Sequence, residues 1–173
     1  CRDPTLVGCT QHSFRQIREV SVHGVIQGKQ DCYLEAHVNQ TVRQIEGSFG
    51  IEKLVWSEKE ARDPGPGEVL LRIRAVSLNY RDLLMIRGHY NPRQPLPLVP
   101  GSDCVGEVLA VGPGVTDWSV GARVCPAFNP GWPAGPIPAD ATRTTLGGPI
   151  EGVFQQTVVM PASALVAPPA HWT

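Results

Sequence analysis

Proline and glycine punctuate this chain so densely that long helices have little room to form. The 173 residues include 17 prolines and 18 glycines, about a fifth of the chain, which is well above their average share. Residues 63–67 read Asp-Pro-Gly-Pro-Gly, a run that neither a helix nor a central strand can contain. Residues 91–100 hold four more prolines and must therefore be extended. The sequence predicts a mainly β domain with short helices, an α+β fold.

Alternation of apolar and polar residues marks the strands between these turns. Residues 68–76 place Leu71, Ile73 and Ala75 on one side and arginines on the other, which predicts a half-buried antiparallel strand. A long stretch rich in glycine and proline, residues 128–150, is predicted to be a surface loop. The other predicted strands cover residues 41–45, a short segment starting at 54, and residues 104–111, 121–125, 153–160 and 165–166.

One short helix is predicted directly after the strand at residues 68–76. Asn79 is a good N-cap, and Asp82 lies three residues further on, where a capping box places a carboxylate. Gly88 can end the helix in the left-handed conformation. The side chains expected on its buried side are Leu83, Leu84 and Ile86.

Charge and cysteine content exclude several classes of function. With 15 basic and 16 acidic residues the net charge is -1, so the chain has no basic footprint for nucleic acid or for a membrane surface. No apolar run is long enough to span a bilayer, and residues 1–30 lack a secretory signal. The five cysteines form no Cys-x-x-Cys pair, which speaks against a disulfide framework. A cytoplasmic location is expected.

Residues 1–40 differ from the rest and are interpreted as an undefined N-terminal extension. They show no sustained period of 2 or 3.6, and a helix over about residues 13–20 is the one candidate element. Their cysteines and histidines match no zinc-finger spacing. Because position 1 is Cys rather than Met, the chain is expected to be part of a longer protein.

Four segments in order make residues 41–173 resemble a known family, the GroES-like N-terminal catalytic domain of medium-chain dehydrogenases and reductases. This group contains zinc alcohol dehydrogenases and quinone oxidoreductases. The resemblance implies a partly open β-barrel that packs, in a complete enzyme, against a Rossmann domain that binds NAD(P). No G-x-G-x-x-G fingerprint of such a domain occurs in this chain. The matching segments are PGPGEVLLRIRAVSLNYRD (64–82), LPLVPGSDCVGEVLAVGPGV (96–115), VGARV (120–124) and GVFQQTVVMPASALVAPP (152–169).

The resemblance also bears on zinc. Members that use zinc have Cys in place of Asn79 and Gly-His-Glu in place of residues 101–103, which read Gly-Ser-Asp here. An amide and a hydroxyl cannot replace the thiolate and imidazole ligands of catalytic zinc. Residues 128–150 contain no Cys, so the four-cysteine lobe of zinc members is also absent. The resemblance therefore implies a zinc-independent member near the quinone oxidoreductases and enoyl reductases.

The same resemblance implies roles for individual side chains. NAD(P), with NADPH the favoured form, would be contacted by Asn79, Tyr80 and Asp82 and held mainly by the Rossmann domain. Asn79 and Tyr90 are the candidate catalytic residues, since a phenol can donate a hydrogen bond to a developing enolate. Simpler alternatives are a helix cap for Asn79 and Asp82 and an amphipathic ring covering a loop for Tyr90. For Arg81, a solvated helix surface is favoured over a cofactor phosphate.

Three function classes follow. The first is the catalytic-domain portion of an NAD(P)-dependent, zinc-independent oxidoreductase that transfers hydride to a carbonyl or a conjugated alkene. Its partner would be a small-molecule carbonyl or enone substrate, and a homodimer of the full-length enzyme is a candidate assembly. The alternatives are a non-enzymatic binding or scaffold module built on the same barrel, and a zinc-dependent alcohol dehydrogenase.

Overall fold

Seven strands and one α-helix form the fold in the computed structural model, which describes residues 39–171. Almost all of the predicted extension, including the candidate helix at 13–20, lies outside these residues. The α-helix is α1 (Tyr80–Ile86). The strands are β1 (Asn39–Ile45), β2 (Leu54–Glu60), β3 (Glu68–Ser77), β4 (Asp103–Val111), β5 (Arg123–Pro126), β6 (Thr157–Pro161) and β7 (Leu165–Val166).

The strands form two antiparallel sheets. The larger sheet has the order β6-β3-β4-β5-β7, and the smaller one pairs β1 with β2. Isolated bridges connect β1 to other segments, with Val42 opposite Gln155 and Ile45 opposite Leu98. The result is a curled sheet that closes only partly, as expected for a GroES-like β-barrel, so the predicted mainly β fold with a short helix is confirmed.

Strand β3 anchors the larger sheet through its first half. Val69 and Leu71 are fully buried, and Leu71 pairs with Val108 on one side and Val158 on the other. The prediction for Ala75 was wrong, because it is exposed. The register with β4 shifts between Ile73 and Ala75, and such a bulge turns the strand so that residues after it face elsewhere.

A second buried cluster packs α1 against β1. Ile45, Met85, Ile86 and Leu98 are its buried members. The predicted buried side of α1 was partly wrong: Ile86 is buried, but Leu83 and Leu84 are only half-buried. The interior positions are instead Asp82, Met85 and Ile86, because the helix is turned so that the carboxylate of Asp82 faces polar partners inside the fold.

The predicted surface loop at residues 128–150 is confirmed for residues 131–140, none of which is buried, whereas the parts on either side of them are packed. It contains a short 3-10 turn, Ala141–Arg143, and Ala141 and Leu146 are buried. The side chain of Asn129 is also buried and donates to the carbonyl of Ala141 at 2.7 Å. Short side chains and internal hydrogen bonds let this segment pack against the sheet despite its proline and glycine content. No helix within residues 39–171 has the length and apolar character needed to cross a bilayer.

Candidate functional site

The end of β3, the start of α1 and the start of β4 converge on one polar group of side chains. Ser77 pairs with Asp103 in the ladder between β3 and β4, so the next residues of both strands emerge at the same end of the sheet. We call the four side chains gathered there the polar end: Asn79, Asp82, Ser102 and Asp103. The sequence analysis had singled out Asn79 and Asp82 at the helix start and the Gly-Ser-Asp turn at residues 101–103, and the structure brings the two segments together.

Asp82 lies at the centre of the polar end and is 4% exposed. Its Oδ2 accepts the backbone N–H of Asn79 at 2.9 Å, the arrangement of a capping box. Ser102, itself 2% exposed, donates its hydroxyl to Asp82 Oδ1 in a long 3.4 Å hydrogen bond. Burial raises the pKa of the Asp82 carboxyl, while the Asn79 hydrogen bond, the Arg81 charge and the Ser102 hydroxyl counteract that rise.

Asn79 is held from two directions. Its backbone N–H binds Asp82, and its side-chain Nδ2 donates to Asp103 Oδ2 at 2.6 Å. A hydrogen bond to a carboxylate is shorter and stronger than one between neutral groups. Asp103 therefore sets which way the Asn79 amide faces, and the predicted cap acts at the same time as an oriented polar group at the rim.

Arg81 is not the solvated surface residue that the sequence favoured. Its guanidinium lies 4.6 Å from the ring centre of Tyr90 and 4.9 Å from that of Phe128. Two of its N–H groups donate to main-chain carbonyls, to Leu146 at 2.9 Å and to Gly148 at 2.6 Å. The physical reason is that residues 128–150 bring two carbonyl oxygens and the ring of Phe128 to the helix. The spacing of residues in the sequence does not reveal these contacts.

Tyr90 is half exposed and stands at the edge of a small cavity. The cavity has a volume of about 240 Å³ and is lined by Met85, Tyr90, Asn91, Thr142, Thr145, Gly148 and Pro149. Tyr80, the third predicted cofactor contact, begins α1 and is 75% exposed. It shares that exposed surface with its neighbour Leu78, which is 79% exposed.

A larger groove of about 500 Å³ lies along β6 and the end of β2 and includes none of the predicted site residues. Two ion pairs line it, Lys59 with Glu151 and Arg62 with Glu68. Among residues 39–171, no group of three or more His, Cys, Asp or Glu side chains is placed to hold a metal ion. The polar end offers only an amide, a hydroxyl and two carboxylates, which already bind one another.

Comparison with known proteins identifies the class of this domain. Residues 65–170 match the family described as the alcohol dehydrogenase GroES-like domain. The chain belongs to this family, which confirms the resemblance drawn from the four sequence segments.

Individual relatives carry oxidoreductase names. A zinc-type alcohol dehydrogenase-like protein of Schizosaccharomyces pombe is 43% identical over 106 residues, which are 61% of this chain and 31% of that protein. Acryloyl-coenzyme A reductase of Metallosphaera sedula is 50% identical over 68 residues, which are 38% of this chain and 20% of that protein. The chain therefore spans less than a third of the length of these relatives.

A solved structure supports the same fold. The quinone oxidoreductase of Pseudomonas syringae pv. Tomato DC3000 superposes with a TM-score of 0.59 at 27% sequence identity. The match covers 78% of this chain and 35% of that structure.

Proposed function

We propose that this chain is the catalytic-domain portion of an NAD(P)-dependent, zinc-independent oxidoreductase that transfers hydride to a carbonyl or to a conjugated alkene. The observation that carries the proposal is the polar end. By the resemblance, three of its four side chains, those of Asn79, Ser102 and Asp103, replace the metal ligands of zinc-using members, and hydrogen bonds connect the four residues. A relative named acryloyl-coenzyme A reductase supports a conjugated alkene as the acceptor.

The residue roles follow from position and chemistry. Asn79, Tyr80 and Asp82 lie at the start of α1, and we assign them to the nicotinamide side of the cofactor, with NADPH the favoured form. The reduced cofactor supplies the hydride when bound. Tyr90, at the edge of the cavity, donates a hydrogen bond to the substrate oxygen as negative charge develops there, and Asn79 orients the reacting groups.

The zinc-free part of the proposal rests on ligand chemistry. Catalytic zinc takes Cys, His or carboxylate ligands in a tetrahedral arrangement with one open position. At the three aligned positions this chain offers the Asn79 amide, the Ser102 hydroxyl and the Asp103 carboxylate, and Asp103 already accepts the Asn79 amide. Activation of the substrate oxygen must then come from hydrogen-bond donors.

The proposal includes how the chain is organised and where it works. We place the start of the GroES-like domain at about residue 41, with residues 1–40 as a separate extension. The compact unit that contains the described residues begins at Ala36, which supports a boundary in this region. A Rossmann domain would hold most of the cofactor, the complete enzyme would be cytoplasmic, and a homodimer is its candidate assembly.

The test uses the protein carrying both domains. We expect it to oxidise NADPH in the presence of a conjugated enone, to contain no stoichiometric zinc by elemental analysis, and to keep its activity in a chelator. Asn79→Ala is expected to lower kcat/KM about tenfold to a hundredfold, because misplacing reacting groups by even 1 Å has effects of that size. Stoichiometric zinc with chelator-sensitive activity would instead favour a zinc-dependent alcohol dehydrogenase.

A separate measurement distinguishes the enzyme from a binding module. The chain alone lacks the dinucleotide fingerprint, so NADPH should change the fluorescence of Trp118 and Trp132 only at high concentration. Micromolar binding by this chain alone would refute the expectation that another domain holds most of the cofactor. A two-domain protein with no reductase activity on enones, quinones or aldehydes would favour the non-enzymatic module.

A further inference from the structure

We propose that Arg81 is a positioning residue that fixes Tyr90 at the edge of the substrate cavity. This inference rests on the proposed function, because it assigns a role within the same site. Arg81 contacts two walls of the cavity at once, the ring of Tyr90 and the carbonyl of Gly148. Its side chain therefore links the ring of Tyr90 to the part of the cavity wall formed by Gly148.

The first support is the aromatic contact. The guanidinium lies near two rings, at 4.6 Å from the centre of Tyr90 and 4.9 Å from the centre of Phe128. A planar guanidinium can stack on aromatic faces, and the electrostatic attraction between cation and ring adds to the contact. Tyr90 is 52% exposed, so packing alone restrains its ring only in part, and Arg81 supplies the missing restraint.

The second support is the pair of hydrogen bonds from the guanidinium. Arg81 donates to the carbonyls of Leu146 and Gly148, which are 65 and 67 residues away in the sequence. Two donors in a rigid fork fix the plane of the guanidinium as well as its position. Because that plane is fixed, the ring of Tyr90 that packs against it is also held in one orientation.

The third support is a buried hydrogen-bond donor of the same side chain that has no partner within residues 39–171. Arg81 Nε is buried and has no hydrogen-bond partner among the described residues. Leaving a buried donor unpaired is unfavourable. If the only role of Arg81 were to connect two segments, an arrangement that pairs all of its donors would be more stable. This unpaired donor accompanies a placement of Arg81 that contacts both Tyr90 and Gly148, which line the same cavity.

The test is a pair of substitutions in the protein carrying both domains, assayed with NADPH and a conjugated enone. Arg81→Met is expected to lower kcat about tenfold to a hundredfold through loss of alignment, with the KM for NADPH unchanged. Arg81→Lys keeps the positive charge beside Asp82 but has no planar fork, so it is expected to behave like Arg81→Met. Full activity in Arg81→Lys would overturn the proposal, because charge alone would then suffice.

A double-mutant cycle separates positioning from general stability. Tyr90→Phe keeps the ring and removes the hydroxyl, so in that background Arg81→Met should lower kcat no further. If the two effects multiply instead, Arg81 does not act through the phenol and the proposal fails. The matched control is Arg87→Met, since Arg87 is an exposed arginine at the end of the same helix, and it is expected to leave kcat unchanged.

A spectroscopic readout keeps this inference separate from the proposed function. With fluorotyrosine incorporated, the Tyr90 resonance, assigned by its loss in Tyr90→Phe, should move in Arg81→Met towards that of the exposed Tyr80. An unchanged Tyr90 resonance overturns the positioning role whatever the enzyme assays show. Conversely, a shifted resonance in a protein without reductase activity would uphold the positioning and reject the proposed function.

Discussion

The sheet core and the inner side of the polar end, Asp82 and Ser102, are both buried, yet different forces hold them together. The sheet core is built from apolar side chains contributed by several strands and by the segment before β6: Val69, Leu71, Val108, Val124, Val153 and Met160. At the polar end, Asp82 and Ser102 are just as inaccessible to solvent, but each has a hydrogen-bonded partner. Burial of aliphatic groups has no preferred direction, whereas hydrogen bonds require defined angles and partners.

This difference teaches where substitutions should act. In the sheet core, a smaller side chain removes buried apolar area and leaves a cavity, so stability falls. At the polar end, a substitution changes which groups are paired and where they point, so geometry and titration change more than the total stability. Four substitutions test this contrast, and the expected change in stability decreases from the first to the last.

Leu71→Ala should give the largest loss of stability. Leu71 is fully buried in the middle of β3, between Val108 and Val158, so its truncation should lower the free energy of unfolding by about 2 to 5 kcal/mol. Urea unfolding followed by circular dichroism measures this. Leu70→Ala is the matched control, because Leu70 is only half-buried; equal losses for the two variants would contradict the contrast.

Gly152→Ala tests the backbone contact that joins the two regions. A Cβ at this position would lie 2.0 Å from the carbonyl oxygen of Gly101 and 2.5 Å from that of Pro100. Since backbone atoms cannot move aside as a flexible side chain can, the free energy of unfolding should fall by about 1 to 3 kcal/mol. A crystal structure of the variant should show the turn at Ser102 displaced.

Gly65→Ala is the control for this substitution. A Cβ there would approach only the flexible carboxylate of Glu68, at 3.1 Å. A Gly152→Ala variant as stable as Gly65→Ala would show that residues 100–101 can move at little cost, and that the polar end is not rigidly placed.

Asp82→Asn should change how stability depends on pH. Burial raises the pKa of Asp82 above its ordinary value of 3.8, so the unfolded chain releases the proton more easily than the folded one. Stability of the wild type therefore falls as pH rises through this window, and the neutral Asn variant does not share that fall. The free energy of unfolding of the variant should therefore rise relative to that of the wild type as the pH increases through this window.

Urea unfolding at several pH values between about 3 and 8, a range that includes the ordinary carboxyl pKa and neutral pH, measures how the free energies of unfolding of the two proteins differ. Ser102→Ala is the companion variant: without the hydroxyl the Asp82 pKa rises further, which should steepen the dependence. If the wild type and the Asp82→Asn variant show parallel pH profiles, the groups around the Asp82 carboxylate offset the whole cost of burying its charge.

Glu68→Gln should have the smallest effect, with the opposite sign. A hydrogen bond from Arg62 lowers the pKa of Glu68 to about 2, so the stabilisation is present above the ordinary value of 4.5 and is lost as pH falls towards 2. Arg62 is 59% exposed, which limits the contribution to about 1 kcal/mol or less. Arg62→Met should likewise reduce the loss of stability as the pH falls towards 2. If neither variant changes that loss, this ion pair does not contribute to stability.

Local patterns in the sequence were enough to predict the sheet and the helix start. Alternation identified Leu71 as buried, and the spacing of Asn79 and Asp82 identified a capping box, because both depend on residues a few positions apart. Ala75 was assigned to the wrong side because a change of register with β4 intervenes. A change of register depends on the partner strand and leaves no reliable mark in the sequence of β3.

The remaining features of the candidate site depend on contacts between distant segments. Asp103 binds Asn79 across 24 residues, and Arg81 binds Leu146 across 65. No local pattern in the sequence marks either partner. The pairing of β3 with β4 brings Asp103 to Asn79, and the packing of residues 128–150 against α1 brings Leu146 to Arg81. The roles of Asn79, Tyr80, Asp82 and Tyr90 in catalysis and cofactor binding stay predictions.

Strand β3 has two parts that differ in burial, and they meet where its register with β4 shifts between Ile73 and Ala75. The half before the shift is buried, while residues 74–77 are exposed and lead directly into Asn79. Substitutions at residues 74–77 should therefore alter the surroundings of Asn79 with little effect on the buried half of β3. Under the proposed function, residues 74–77 are the first positions to vary when altered substrate preference is sought, because the fully buried positions of β3, Val69 and Leu71, precede them.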